Sequence, residues 1–285
     1  MFLLLISTNI IMIAYWTEII VIALFVVQDV KAKKKAVIFA KINNRILAVV
    51  IIKNTIQNIV SILMLINLHY GGSWGFMIKI ENLDVHGVAR AIYSARNAMN
   101  SWDKSDSRFE TDTMGENDLK LAKQLVKAGT DHSKFMRMIT VTCDITAPRY
   151  WWTEFDTYKV GTVRNSCSTM HTIHQKEFTL DDFSHEHLEA IYEVPCNYLG
   201  VLGFVLDELN KARKLFIETK DKKYWWQMIQ LLPQSYNQRA TVQLNYQVLR
   251  NMYHARKNHK LDEWKIFCKW VEKLPYSELI TEEQA

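Results

Sequence analysis

Cysteine, proline and glycine are all scarce in this chain, at four, four and nine of 285 residues. The four cysteines (Cys143, Cys167, Cys196, Cys268) are widely spaced, with no CxxC and no histidine pair at zinc-finger spacing. Neither a structural zinc site nor a disulfide framework is expected, and reduced thiols in a cytoplasmic enzyme are the simplest reading. Few prolines, beside 49% hydrophobic and 23% charged residues, exclude disordered, collagen-like and low-complexity chains. The glycines form no GxGxxG and no GxxxxGK[ST]. A nucleotide or flavin would therefore be held without a Rossmann or P-loop cradle.

Excess charge is small too, and its placement matters more than its size. Residues 1–76 hold seven cations and two anions, which accounts for the whole net charge of +5 and leaves 28 of each sign beyond. The rest of the chain has no basic excess with which to hold a polyphosphate backbone, so nucleic acid is not an expected partner. Met1 to Val27 is almost wholly apolar, interrupted by Glu18, long enough to cross a bilayer as one helix, and is followed by Lys31, Lys33, Lys34 and Lys35. Ile46 to Leu68 is a weaker span, interrupted by Lys53, Asn54, Gln57, Asn58 and Asn67. Two readings of 1–76 stand side by side: a membrane hairpin with its basic loop in the cytoplasm, or an over-extended reading frame with Met77 as the start.

From Met77 onward the pattern changes to that of an α+β domain. Leu121, Ala122, Leu125 and Val126 make one stripe over 118–127, and Gly129 follows as a C-terminal stop. Residues 138–146 alternate Ile139, Val141, Cys143, Ile145 against Thr140, Thr142, Asp144, Thr146, the pattern of a strand with one buried face. Pro148 then suits the opening of a helix over RYWWTEFDTYK. Long helices are predicted over 197–220, 241–257 and 262–274.

Candidate chemistry is sparse. His171, His174, His185 and His187 resemble a metal set, yet no carboxylate stands at a spacing that completes it. Cys167 with His171 nearby could be a nucleophile with its base, but a merely polar or buried cysteine fits as well. Trp151, Trp152, Trp225 and Trp226 are expected in the core or at a subunit contact, with ring stacking on a ligand the alternative. In LNYQVLRNMYHAR, Asn245 and Arg256 are eleven residues apart. On one continuous helix that places them within about 20° of the same face and about 16 Å apart. Arginine's planar fork suits a phosphate there, although a lone helical arginine is more commonly a solvated charge.

These residues resemble the flavin-dependent thymidylate synthases, and the resemblance covers nearly all of 77–275. Leu232-Pro233 followed by Asn245, Asn251, Arg256 and Trp264 is similar to that family's LP, N, N, R, W segment, with one extra residue before Trp264. GENDLKLAKQLVKAGTDHSKF is similar to the family's helix and the loop before its strand. The family signature, R-H-R-x-x-S-x-N-E-x-S-x-R, falls on Thr157 to Met170. Asn165 and Ser168 match, Lys159 keeps a cation, and Thr162 offers a hydroxyl near the signature serine's place. Thr157, Tyr158, Ser166 and Met170 depart from it, and one residue is added between Lys159 and Asn165.

The resemblance implies an α+β fold, an antiparallel sheet packed with long helices and a flavin bound outside any Rossmann fold. It implies FAD contacts from Ser133, Asn245 and Asn251, and dUMP contacts from Lys159, Thr162, Asn165, Ser168 and Arg256. NADPH and methylenetetrahydrofolate would be co-substrates, the assembly a homotetramer, and the domain would span 77–285. No protein nucleophile is then required, because flavin and folate carry the chemistry and the protein orients and polarises. Two signature arginines are missing, and each such charge-assisted contact contributes about 1.5–3 kcal/mol. Three readings remain open from sequence: a working synthase, a diverged member with another reaction or none, and a membrane-anchored binding protein.

Overall fold

The computed structural model describes residues 78–189 and 197–283. Both readings of the apolar segment 1–76 lie outside the described residues, as does Cys196. Among the described residues no helix is long and apolar enough to cross a membrane.

Four strands form one antiparallel sheet in the order β1-β2-β4-β3: β1 Lys79–His86, β2 Thr140–Pro148, β3 Val163–Ser166 and β4 Asn237–Asn245. β2 and β4 pair over their full lengths, from Thr140 opposite Asn245 to Pro148 opposite Asn237. The alternation expected for β2 is present, with Val141, Cys143, Ile145 and Ala147 buried. β4 contributes Ala240, Val242 and Leu244 to the same buried face. The other face is polar. There Asp144 accepts from Asn82 (2.7 Å), Arg239 (2.7 Å) and Thr241 (2.5 Å), and these hydrogen bonds hold its carboxyl well below the usual carboxylate range.

The helices follow in chain order. They are α1 Val88–Ala95, α2 Glu116–Lys127, α3 Arg149–Phe155, α4 Thr169–Thr172, α5 Tyr198–Thr219, α6 Lys222–Leu231, α7 Tyr246–Arg256, α8 Asp262–Val271 and α9 Glu278–Thr281. Their ends agree with local sequence. Pro148 precedes the first residue of α3, and Asn197 caps α5 by accepting the Gly200 amide at 2.8 Å. Past α2, Gly129 takes φ +103°, as a glycine stop requires.

One predicted helix is corrected. Residues 241–257 are not a single helix: 237–245 is strand β4, and α7 begins only at Tyr246. Arg239, Thr241 and Gln243 alternate with Ala240, Val242 and Leu244, a period-two pattern that the helical stripe beyond it obscured. Asn245 is therefore the cap of α7, with Oδ1 accepting the Val248 amide at 3.0 Å, and shares no helix face with Arg256.

Two hydrophobic clusters result. The larger joins the buried sheet face to α1, α2, α3, α7, α8 and α9, around the fully buried Trp151, Phe155, Trp264 and Phe267. The smaller joins α5 and α6 to Ile173, Phe178 and Phe183. Helix α7 lies on the larger one through Tyr246, Val248, Leu249 and Met252.

Candidate functional site

Helix α7 organises the site. Its eleven residues separate its ends by about 16 Å, and three distant chain segments dock along it.

At its start stands the loop between α3 and β3. Gly161 takes φ +78°, and a methyl group placed there would lie 2.9 Å from Asn245 Nδ2 and 3.1 Å from Val248 Cγ2. Only glycine combines that backbone with so close an approach to the cap of α7. Beside it, Thr162 Oγ1 is buried with no hydrogen-bond partner. A hydroxyl left unpaired in this way calls for a water or ligand to complete it.

Along the helix runs a chain of side chains. Ser133, buried before a short 3₁₀ turn, donates to Gln247 Oε1 at 3.2 Å, and Gln247 Nε2 donates to Asn251 Oδ1 at 3.1 Å. Asn251 itself is exposed and lines a cavity of about 310 Å³ together with Arg250, His254 and Glu283. Arg250 is buried; its Nη1 donates to the carbonyls of Leu279 and Ile280, both at 3.1 Å, while Nη2 has no partner. Burial lowers the affinity of both Arg250 and His254 for their protons, and His254 Nε2 donates to the Ile280 carbonyl at 3.1 Å.

At the end of α7 the chemistry changes. Arg256 Nη1 donates to Glu154 Oε2 at 2.7 Å, and Nε donates to the Tyr158 hydroxyl at 3.0 Å. Its guanidinium sits over the rings of Trp264 (4.9 Å) and Tyr158 (5.6 Å). The same Glu154 oxygen accepts from Trp264 Nε1 at 2.9 Å and lies 3.4 Å from His259 Nε2. Lys159, next to Tyr158, is exposed.

The structure thus brings Asn245 to Gly161 and Thr162, Ser133 to Asn251 through Gln247, and Arg256 to the loop that carries Lys159. Asn165 is placed on exposed strand β3, opposite Thr241. Ser168 caps the short α4, accepting the His171 amide at 3.3 Å, and the Met170 carbonyl there accepts from Trp225 Nε1 at 3.2 Å. Neither side chain is hydrogen-bonded to α7. Among the described residues no group of three or more His, Cys, Asp or Glu is placed so that it could hold a metal ion. Cys167 is exposed, whereas Cys143 and Cys268 are buried and their thiols pushed up by burial to about 12 and about 11.

Sequence reasoning missed Glu154, Gln247 and Arg250. Glu154 gave no signal because its partners are 102 and 110 residues downstream. Gln247 and Arg250 lie between the two asparagines that were singled out, and only their burial distinguishes them.

Comparison with known proteins yields a fold. No protein-family model matches the chain, and no curated protein does. Among solved structures, the flavin-dependent thymidylate synthase ThyX from Helicobacter pylori complexed with FAD and dUMP superposes with a TM-score of 0.54 at 18% identity, covering 73% of this chain and all of that one. A second structure of ThyX from the same organism, also with FAD and dUMP, gives a TM-score of 0.54 at 19% identity over 72% of this chain and 97% of that one. The chain shares the ThyX fold.

Proposed function

We propose that this chain is a flavin-dependent thymidylate synthase, which methylates dUMP to dTMP with methylenetetrahydrofolate through FAD reduced by NADPH. One observation carries the reading. Residues that the resemblance assigns to flavin and nucleotide, drawn from segments around 133, 159–162 and 245–256, converge on α7 in a chain that shares its fold with proteins solved with FAD and dUMP.

The residues present fit an anionic flavin nucleotide. Arg250 Nη2 is a buried cationic donor without a partner, and Arg250 lines the same cavity as Asn251. Asn251 and Asn245 would hold the FAD, with Ser133 fixing Asn251 through Gln247; no Rossmann glycine motif takes part. Bound FAD would supply the hydride and relay the one-carbon unit to the pyrimidine. On the substrate side, Thr162 would donate or accept through its unpaired hydroxyl. Lys159 and Arg256 would stabilise negative charge that develops on the pyrimidine carbonyls, with Asn165 and Ser168 completing the contacts. The working unit would be 77–285 assembled as a cytoplasmic homotetramer, with Trp225 and Trp226 at subunit contacts, and any membrane attachment would come from 1–76.

A second reading has one observation in its favour. Arg256 is already ion-paired with Glu154, as suits a diverged member that keeps the scaffold and flavin but takes another pyrimidine. The test is dTMP formation by the full chain given FAD, NADPH, methylenetetrahydrofolate and dUMP, with bound flavin read from the visible spectrum. Product is expected. A folded, yellow protein that makes none would select the diverged reading.

A further inference from the structure

Arginine's fork invites a phosphate at Arg256, yet in the fold that charge is already met. Glu154 Oε2 accepts from Arg256 Nη1 (2.7 Å) and Trp264 Nε1 (2.9 Å), with His259 Nε2 at 3.4 Å. The Arg256 side chain is 18% exposed and packs beside the Trp264 and Tyr158 rings. The backbone that carries Glu154 is fixed, because α3 is anchored by Trp151, Trp152 and Phe155, all buried. A phosphate brought to Arg256 would meet the Glu154 carboxylate across the same guanidinium, a like-charge encounter in a partly desolvated setting.

We infer that Glu154 sets the charge accepted at this end of the site: it is a positioning residue that fixes and neutralises Arg256, so the ligand presents an uncharged acceptor there and a phosphate is disfavoured. This rests on the reading of the chain as a pyrimidine-nucleotide enzyme. The pyrimidine ring carbonyls supply acceptors of that kind.

The test is calorimetric titration of the FAD-loaded full chain with deoxyuridine, dUMP and inorganic phosphate, in wild type, Glu154→Gln and Glu154→Asp. In Glu154→Gln the affinity for inorganic phosphate should rise by about tenfold or more, the range of a released charge-assisted contact, while dUMP and deoxyuridine, whose shared ring faces Arg256, change by the same factor. Phosphate binding should appear only in that variant, and Glu154→Asp should behave as wild type. A merely structural role would weaken all ligands alike. No gain of phosphate affinity, in a Glu154→Gln protein folded by circular dichroism, overturns the inference. If neither pyrimidine binds any variant, the pyrimidine reading fails and the phosphate titration alone decides the role of Glu154. Should Glu154→Gln not fold, Arg256→Gln serves. It should weaken dUMP and deoxyuridine by the same factor, and a larger loss for dUMP contradicts the proposal.

Discussion

The two ends of α7 are opposite in chemistry. The first is neutral: an asparagine cap, a glycine pressed against it and a threonine hydroxyl that is buried without a partner. The second is charged and closed, with Arg256, Glu154, Tyr158 and Trp264 joined in one hydrogen-bonded and stacked group. An unmet hydroxyl lowers stability and gains when a ligand arrives, whereas a met charge contributes to stability and resists a second anion. The fold therefore leaves an unmet polar group at one end and a held, pre-paired arginine at the other.

Breaking the closed end should have the largest effect. Trp264 is fully buried against Trp151 (4.8 Å) and Phe267 (5.5 Å). Trp264→Ala should cost about 3–5 kcal/mol in urea unfolding, from lost packing and a cavity. A cost below ~1 kcal/mol would mean that this end is not the structural one. The open end should respond in the reverse sense. Thr162→Val keeps the shape and removes only an unpaired hydroxyl, so stability should hold within ~0.5 kcal/mol or rise, while dUMP affinity falls about 3- to 10-fold by calorimetry. A variant that loses stability but keeps its affinity would reverse the comparison.

The same contrast explains what was legible in the sequence. Strand β2 was readable because Ile139 to Ile145 alternate, and α5 because Asn197 and a run of apolar residues mark its start. Strand β4 was not, because its alternation runs directly into α7 with no turn residue between Leu244 and Tyr246 except Asn245, which serves both as the last strand residue and as the cap. Ser133 and Asn251 were singled out through resemblance, Asn245 and Arg256 through spacing as well, and the fold places each of them on or against α7. Glu154 and Gln247 escaped notice because their roles depend on partners about a hundred residues away in sequence, and no local pattern encodes such a pair. Thr162 was legible as a hydroxyl but not as an unpaired one, since satisfaction is a property of the packed structure.

The most direct test of the central claim, that α7 carries a flavin nucleotide site, is titration of the full chain with FAD, followed by the visible absorbance of the bound flavin. Saturable binding is predicted, weakened several-fold by Asn251→Ala at an unchanged thermal midpoint. Absence of saturable binding, or binding indifferent to Asn251→Ala, would contradict it.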